Sequence, residues 1–575
     1  MRETLYPWIR AACERAGGDP AAAEMATVWA VACLEAERAG GTSVAAGPAE
    51  LSLLRSQLPP ALWSELRPGQ PLSSDVLFVL YADRLQLARM YRLESQLGAM
   101  LCQRVAPPGR EEEGQESLAR MCAALGEDGH MPFWHAAWAG QGFQLITGGP
   151  GSGKTTRVAT WLAVHAMRLA RNGQAVAVAR LVAPTGKAAA RLQQALQAHA
   201  PAATRALREA CEPAYAEAAG RIVAELIATS VQTVHKAVGY SSRALPGYRY
   251  ERPWAPADVL VLDEASMLSA DMAHWLLGAA RYTRSVLWLG DADQLPPVEA
   301  GSVLRDLTRV LMAQPADSEH VHLRLQQVRR YDPAGPVAAL AESVLAGQAR
   351  EPVLPAGHRE QVHLQVLEAQ AMHEALQCWL ELRSDWLATY RTLPVDMQLE
   401  RSAEWRILTP VHDGLLGAHA LNRMMAGRMG AESEAYAGCP TLVTRNLSTH
   451  GLANGDVGVQ FGQGPDMWVR FAGADAPVDV PLHVLGKHWM PAWAMTMHKA
   501  QGSEFQDVLV VLPPGLRDEA ISRELLYTAI TRVRSLGYAH ASLTILATAH
   551  SWSQALQVRE VRMTGLAQLL DGFLG

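Results

Sequence analysis

Lysine is almost missing from this chain. Only five occur in 575 residues (Lys154, Lys187, Lys236, Lys487 and Lys499), so 46 of the 51 basic residues are arginine. An arginine-biased genome explains the background. Within it, each remaining lysine marks a place where a compact ammonium is wanted and a planar fork is not. The net charge of −6 excludes a generally basic nucleic-acid coat but not a local basic groove. The seven cysteines are scattered, with no C-x-x-C and no histidine cluster beside them. Neither a structural zinc site nor a disulfide framework is expected, and a reducing, cytoplasmic setting fits. No run approaches the ~18 apolar residues of a membrane span. The opening MRETLYPWIRAACERAGGDP lacks the apolar stretch of a signal peptide. Against these absences stands an apolar fraction of 49%, which sets aside wholesale disorder. The length alone suggests about four domains at roughly 150 residues each.

Residues 1 to about 105 read as Ala/Leu-rich helices. Between Asp83 and Leu101, apolar residues recur at Leu87, Met90, Leu93, Leu97, Met100 and Leu101, one apolar helical face. That face is either the core of a small all-α domain or a surface for a partner protein. The stretch PPGREEEG (107–114) has no periodicity and reads as a solvated linker. From about Phe143 short β-rich runs alternate with helices, the texture of a parallel sheet with crossover helices. The same texture returns at 405–410, 508–512 and 543–547. Two α/β domains are therefore expected, with a small β insertion at 435–490 in the second. No internal repeat is present.

The chemistry begins at Gly148-Gly149-Pro150-Gly151-Ser152-Gly153-Lys154-Thr155-Thr156, which matches G-x-x-x-x-G-K-[ST] after a strand. Glycines let backbone N–H groups turn inward around phosphates, and the following helix points its positive end at them. Lys154 would reach the β- and γ-phosphates of ATP and Thr155 would hold Mg²⁺. Further on, VLVL runs into Asp263 and Glu264, a buried strand ending in charge. Asp263 suits the Mg²⁺ shell and Glu264 the group that polarises the attacking water. Another strand ends in LGDADQ, where the Gln294 amide could sense the γ-phosphate. Taken alone, Gln294 is equally a surface turn residue.

A P-loop does not name the work done. The ordered blocks GGPGSGKTT, APTGKAAARL, TVHKAVG, VLVLDEASM, LGDADQLPPVEAG, LQQVRRY, RILTPVHDGLLGAHALN, VTRN, LANGDVGV, AMTMHKAQGSEF and RELLYTAITRVR run from Gly148 to Arg534. As a set they resemble the RecD-like branch of superfamily 1 helicases. The resemblance implies an α/β fold of two RecA-like P-loop NTPase domains, a helical N-terminal domain and a small SH3-like β insertion. The expected boundaries are 1–130 for partner docking, 131–324 and 325–575 for the motor domains, and 435–490 for the insertion.

It also implies a DNA track through Thr185, Lys187, His235, Lys236, Thr444, Arg445, Asn446, Thr496, His498, Lys499 and Ser503. Hydroxyl, amide and ammonium groups suit phosphates, although each of these residues alone would pass for a solvated loop side chain. Arg330 and Arg532 resemble the family's γ-phosphate contacts from the second domain. The segment at 239–256, with Tyr240, Tyr248 and Tyr250, resembles a short strand-separating hairpin; a plain surface hairpin is the alternative. Two positions depart from the family pattern. His135 follows Trp134 where many relatives carry a glutamine that reads adenine, and Arg329 stands where an aromatic is common.

The family includes the motor subunit of exodeoxyribonuclease V, which works with RecB and RecC, and stand-alone helicases with a longer N-terminal region. Here DVLFVLYADRLQLARMYRLESQL resembles the part of the subunit that docks on RecC. The implied protein is a 5′→3′ motor acting on single-stranded DNA and double-stranded DNA ends, in recombinational repair. The nuclease is expected on another chain. Common nuclease sites place an acidic residue two before a lysine, and here those positions are Ser152, Thr185, Val234, Leu485 and Met497. A stand-alone helicase and a P-loop scaffold that has lost motor function remain as alternatives.

Overall fold

The computed structural model describes every residue except 67–71, 73–75, 82, 106–113, 141, 241–253, 315–317, 327–329, 349–358, 448–449, 474–475, 518–519 and 575. Most of the expected linker, Tyr248, Tyr250 and Arg329 lie outside the described residues.

Two all-parallel sheets dominate. The first has six strands, in the order His322–Leu325, Gly142–Gly148, Ser285–Gly290, Val259–Leu262, Ala179–Ala183 and Gln232–Thr233. The second has five, in the order Glu360–Val366, Ala541–Ala547, Asp507–Leu512, Trp405–Thr409 and Ala494–Thr496. Central strands of such sheets are covered on both faces, so they read as unbroken apolar runs. Val259, Leu260, Val261 and Leu262 are all fully buried. The crossover helix Lys154–Arg171 lies between the first sheet and helices Gly186–Ala210 and Pro213–Ala228, and it is buried from Val158 to Ala170.

A five-stranded antiparallel sheet is inserted ahead of the Ala494–Thr496 strand. Its order is Val478–Pro481, Trp468–Phe471, Val457–Phe461, Pro440–Val443 and Trp489–Pro491. It closes on a small core of Val443, Leu452, Val469, Phe471, Val480 and Leu485.

The N-terminal region departs from the all-helical expectation. It contains a four-stranded sheet, in the order Val44–Ala45, Arg84–Leu87, Phe78–Tyr81 and Trp63–Glu65. Phe78–Tyr81 and Arg84–Leu87 pair antiparallel through a turn at Asp83, whose φ of 60° is tolerated by a short polar side chain. The helical spacing that starts at Asp83 in the sequence is realised only from Ala88, in helix Ala88–Val105. Leu87 faces a core, but from a strand.

The chain end also departs from the expected boundary. Helix Leu566–Leu574 returns from the second sheet to pack on helices Ala88–Val105 and Val303–Ala313. Leu566, Ala567 and Leu570 share one apolar core with Leu97, Leu101, Leu304 and Leu307. Glu94 ties this junction together. It is buried and accepts from the Thr42 hydroxyl at 2.7 Å and from the Gly565 backbone N–H at 3.1 Å. Burial pushes its carboxyl up to about 8 despite those bonds, so it is neutral at pH 7.

At pH 7 the unfolded chain ionises Glu94 and the fold does not, so Glu94→Gln should raise the unfolding free energy there, with the gain fading as the pH is lowered toward 4. Glu94→Ala loses the same penalty but strands the Thr42 and Gly565 donors, so it should be about 2–3 kcal/mol less stable than Glu94→Gln. Parallel urea titrations of the two variants read the difference.

Candidate active site

Strand Gly142–Gly148 delivers the glycine-rich loop and helix Lys154–Arg171 leaves it. Gly153 at φ 85° caps that helix in the left-handed region, which turns the loop's N–H groups inward. The Lys154 ammonium donates to the Gly148 and Gly149 carbonyls at 2.8 and 3.0 Å, so it lies along the loop it serves. The Ser152 hydroxyl is buried with no partner among the described residues, a donor that a phosphate oxygen would satisfy.

The neighbouring strand end carries the paired acids. Asp263 accepts from the Glu264 N–H at 2.8 Å. Glu264 itself sits at φ 54°, an uncommon conformation for a residue with a side chain and of a kind that clusters at functional sites. Burial first, and then the Glu264 charge, push the Asp263 carboxyl up to about 7, with Lys154 opposing. A buried acid this reluctant to ionise is a hard-oxygen donor short of positive charge, and the loop offers a threonine hydroxyl of the same chemistry. That chemistry fits Mg²⁺ held by Thr155 and Asp263.

Gln294 is buried, and its amide donates to Asp291 Oδ2 at 3.1 Å. The same oxygen accepts from the Tyr527 hydroxyl at 3.2 Å, and the Leu295 N–H donates to Thr528 Oγ1 at 3.3 Å. The end of strand Ser285–Gly290 is thus fastened to helix Arg523–Ile530, on the second sheet. Sequence reading passed over Asp291 and Tyr527. Asp291 carries the same signal as Asp263, an acid at the end of an apolar strand. Its carboxyl is pushed up to about 6 by burial, against Lys154.

Arg330 comes down directly on the phosphate loop. Gly151 has φ 76°, and a Cβ there would meet the Arg330 backbone nitrogen at 2.7 Å, so only glycine allows the approach. The Arg330 guanidinium donates to Glu504 Oε1 at 2.6 Å and to the Thr531 carbonyl at 3.1 Å. Arg532 is 2% exposed and donates to the carbonyls of Thr528 and Ser503 at 2.8 and 3.4 Å. Burial, with Arg330 nearby, pulls its pKa down to about 10, while Glu264 opposes that change.

The expected track residues divide by exposure. His235, Lys236, Arg445, Asn446 and His498 are exposed, while Thr185, Lys187, Thr444 and Lys499 are partly so. Thr496 and Ser503, each 3% exposed, depart from expectation because their hydroxyls are turned into the protein. The Thr185 hydroxyl caps helix Gly186–Ala210 by accepting from the Ala188 N–H. The Lys187 ammonium is used as well, donating to Ser503 Oγ at 2.5 Å. Asn446 accepts from the Asn454 N–H at 2.7 Å and shapes the turn of the antiparallel sheet. Ala453 of that sheet packs on Gly186. Tyr240 stacks on Trp275, with ring centroids 5.5 Å apart.

These contacts define a P-loop ATPase in which Arg330, tied to Glu504 and Thr531 of the second lobe, closes over the phosphate loop. The AAA domain family model matches residues 133–366, and the UvrD-like helicase C-terminal domain model matches residues 491–536. The RecBCD enzyme subunit RecD of Mycolicibacterium smegmatis is 31% identical over 96% of this chain and 94% of its own length. That of Mycobacterium tuberculosis is 31% identical over 89% of this chain and 85% of its own length. The ATP-dependent RecD2 DNA helicase of Deinococcus radiodurans is 28% identical over 84% of this chain and 58% of its own length. The chain belongs to the RecD family of ATP-dependent DNA helicases. No helix among the described residues is long and apolar enough to cross a membrane.

Two outcomes test the site. Lys154→Gln should abolish ATP hydrolysis in a phosphate-release assay, with the fold retained by circular dichroism; full turnover would refute the phosphate-site assignment. Asp263→Asn should also be inactive, yet more stable. An aspartate raised to about 7 in the fold keeps its proton there between about pH 4 and pH 7, where the unfolded chain has lost it. Its burden on stability therefore grows from about pH 4 to pH 7 and stays full above, at about 1.4 kcal/mol for each tenfold gain in proton affinity on folding. The variant's melting temperature should exceed the wild type's by several degrees at pH 8, and the gap should shrink as the pH is lowered toward 5.

Proposed function

We propose that this chain is the 5′→3′ motor subunit of a RecBCD-type assembly, which unwinds double-stranded DNA ends for recombinational repair. The observation that carries this is the end-to-end likeness to RecBCD subunits, covering 96% of this chain and 94% of the Mycolicibacterium protein. RecB and RecC are the implied partners, with the nuclease on one of them.

In this reading the cleft over Gly151 hydrolyses ATP. Loop N–H groups, Ser152 and Lys154 bind and orient the phosphates. Thr155 and Asp263 hold Mg²⁺, which when bound neutralises phosphate charge. Glu264 accepts a hydrogen bond from the attacking water and turns it toward the γ-phosphate, with Gln294 positioned by Asp291. Arg330 and Arg532 supply positive charge to the transferring group, and their engagement reports whether a γ-phosphate is present. The two motor domains are 131–324 and 325–575, less the C-terminal helix. The antiparallel sheet at 435–490 is an SH3-like insertion that holds DNA against the motor. The exposed His235, Lys236, Arg445, Asn446 and His498 are its track, with Lys499 beside them.

Cyclic opening and closing of a cleft that grips one strand at two points moves the protein along that strand. Affinity purification of the tagged chain from its native extract should bring down two large partners, identified by mass spectrometry as RecB- and RecC-like. The purified assembly should hydrolyse ATP at least about ten-fold faster with single-stranded DNA than without it. Efficient unwinding by the isolated chain would instead favour a stand-alone helicase, and no stimulation by DNA would favour a scaffold.

A further inference from the structure

Ser503 and Glu504 sit side by side between strands Ala494–Thr496 and Asp507–Leu512 of the second sheet, and each reaches across to the first lobe. The Lys187 ammonium meets Ser503 Oγ at 2.5 Å, and Arg191 Nη2 meets Glu504 Oε1 at 3.0 Å. Lys187 and Arg191 are one turn apart on helix Gly186–Ala210, so they share a face. That same Oε1 holds Arg330 Nη2 at 2.6 Å, while Oε2 faces Arg534 Nη1 at 3.6 Å. The Glu504 side chain is only 17% exposed. Burial works to raise its pKa, but Arg330, Arg191, Arg534 and Arg532 together hold it down at about 2. One carboxylate oxygen is therefore shared between the arginine that lies on the phosphate loop and an arginine of the helix that begins at Thr185.

That sharing has a mechanical consequence. A guanidinium drawn to a γ-phosphate gives up its hold on Glu504, because both are anions competing for one planar fork. The freed Oε1 then belongs to Arg191, and that ion pair tightens across the lobes. Loss of the γ-phosphate returns Arg330 and loosens Arg191. Glu264 also acts on Arg330 and Arg532, but it lies on the first lobe at the end of strand Val259–Leu262, and among the described residues no ion pair joins it to the helix.

We propose that Glu504 is a positioning residue, a counter-ion shared by Arg330 and Arg191, through which nucleotide state is passed to the helix at the start of the DNA track. The proposal rests on the motor reading above and adds the contact that couples its two sites.

The test uses the full chain with its co-purifying partners, and it measures ATP turnover with and without single-stranded DNA. Arg191→Gln should leave DNA-free turnover and the ATP KM within about two-fold of wild type, while cutting DNA stimulation by about five-fold or more. Arg191→Lys keeps the charge and should recover at least about half of that stimulation. Glu504→Gln frees Arg330, and should lower the ATP KM by about two- to five-fold while losing the stimulation. Undiminished stimulation in Arg191→Gln would overturn the proposal. So would an equal loss in the lysine variant, or a parallel fall of DNA-free and DNA-stimulated rates, since either marks a purely structural ion pair. Those failures leave the motor reading standing. A wild-type assembly that ignores DNA would defeat both.

Discussion

A missing side chain at position 151 lets the backbone of Arg330 settle onto the phosphate loop, and much of the molecule is arranged around that close approach. It brings two sheet-bearing lobes together, with Lys154, Asp263, Glu264 and Asp291 at strand ends and the loop of one and Arg330, Arg532 and Glu504 on the other. Except for Glu504, which four arginines keep ionised, the poorly hydrated groups here resist ionisation. Asp263 is pushed up to about 7 and Arg532 down to about 10, both chiefly by burial. A site of this kind is costly when empty of counter-charge and relieved by a phosphate and its cation.

The second theme is that hydrogen bonds at the seam are shared and not duplicated. Asp291 Oδ2 accepts from both Gln294 and Tyr527. Glu504 Oε1 accepts from both Arg330 and Arg191. Ser503 offers its hydroxyl to Lys187 and its carbonyl to Arg532. When one partner of such an acceptor moves, the others respond, which is how a small rearrangement at phosphate scale can reach whole lobes. The two buried hydroxyls of the expected track, at Thr496 and Ser503, make sense here. Ser503 serves the seam, while His498, of the same segment, is exposed.

Much of this was legible in the residue order. The phosphate loop, the acid pair at Asp263 and Glu264, and the parallel texture of both sheets come from local rules, because glycine spacing and unbroken apolar strands have few alternative meanings. The scarcity of lysine was informative too, for Lys154 and Lys187 both take part in the cleft. The N-terminal sheet was not legible. Its strands are two to four residues long, and the 78–87 hairpin runs straight into a helix whose apolar spacing absorbs Leu87. The allegiance of helix Leu566–Leu574 was equally hidden, since an apolar face does not say which lobe it will cover.

Local structure, then, was settled by spacing along the chain: where the glycine-rich loop and the acid pair lie, which strands are central, which blocks mark a helicase of the RecD family. Partnership was decided in three dimensions. Arg330 and Gly151 are 179 positions apart, Arg191 and Glu504 are 313 apart, and Glu94 and Gly565 are 471 apart. Nothing in a run of residues specifies which distant charge will share an oxygen with it. That choice follows from how two sheets and their covering helices pack, and packing is a property of the whole fold.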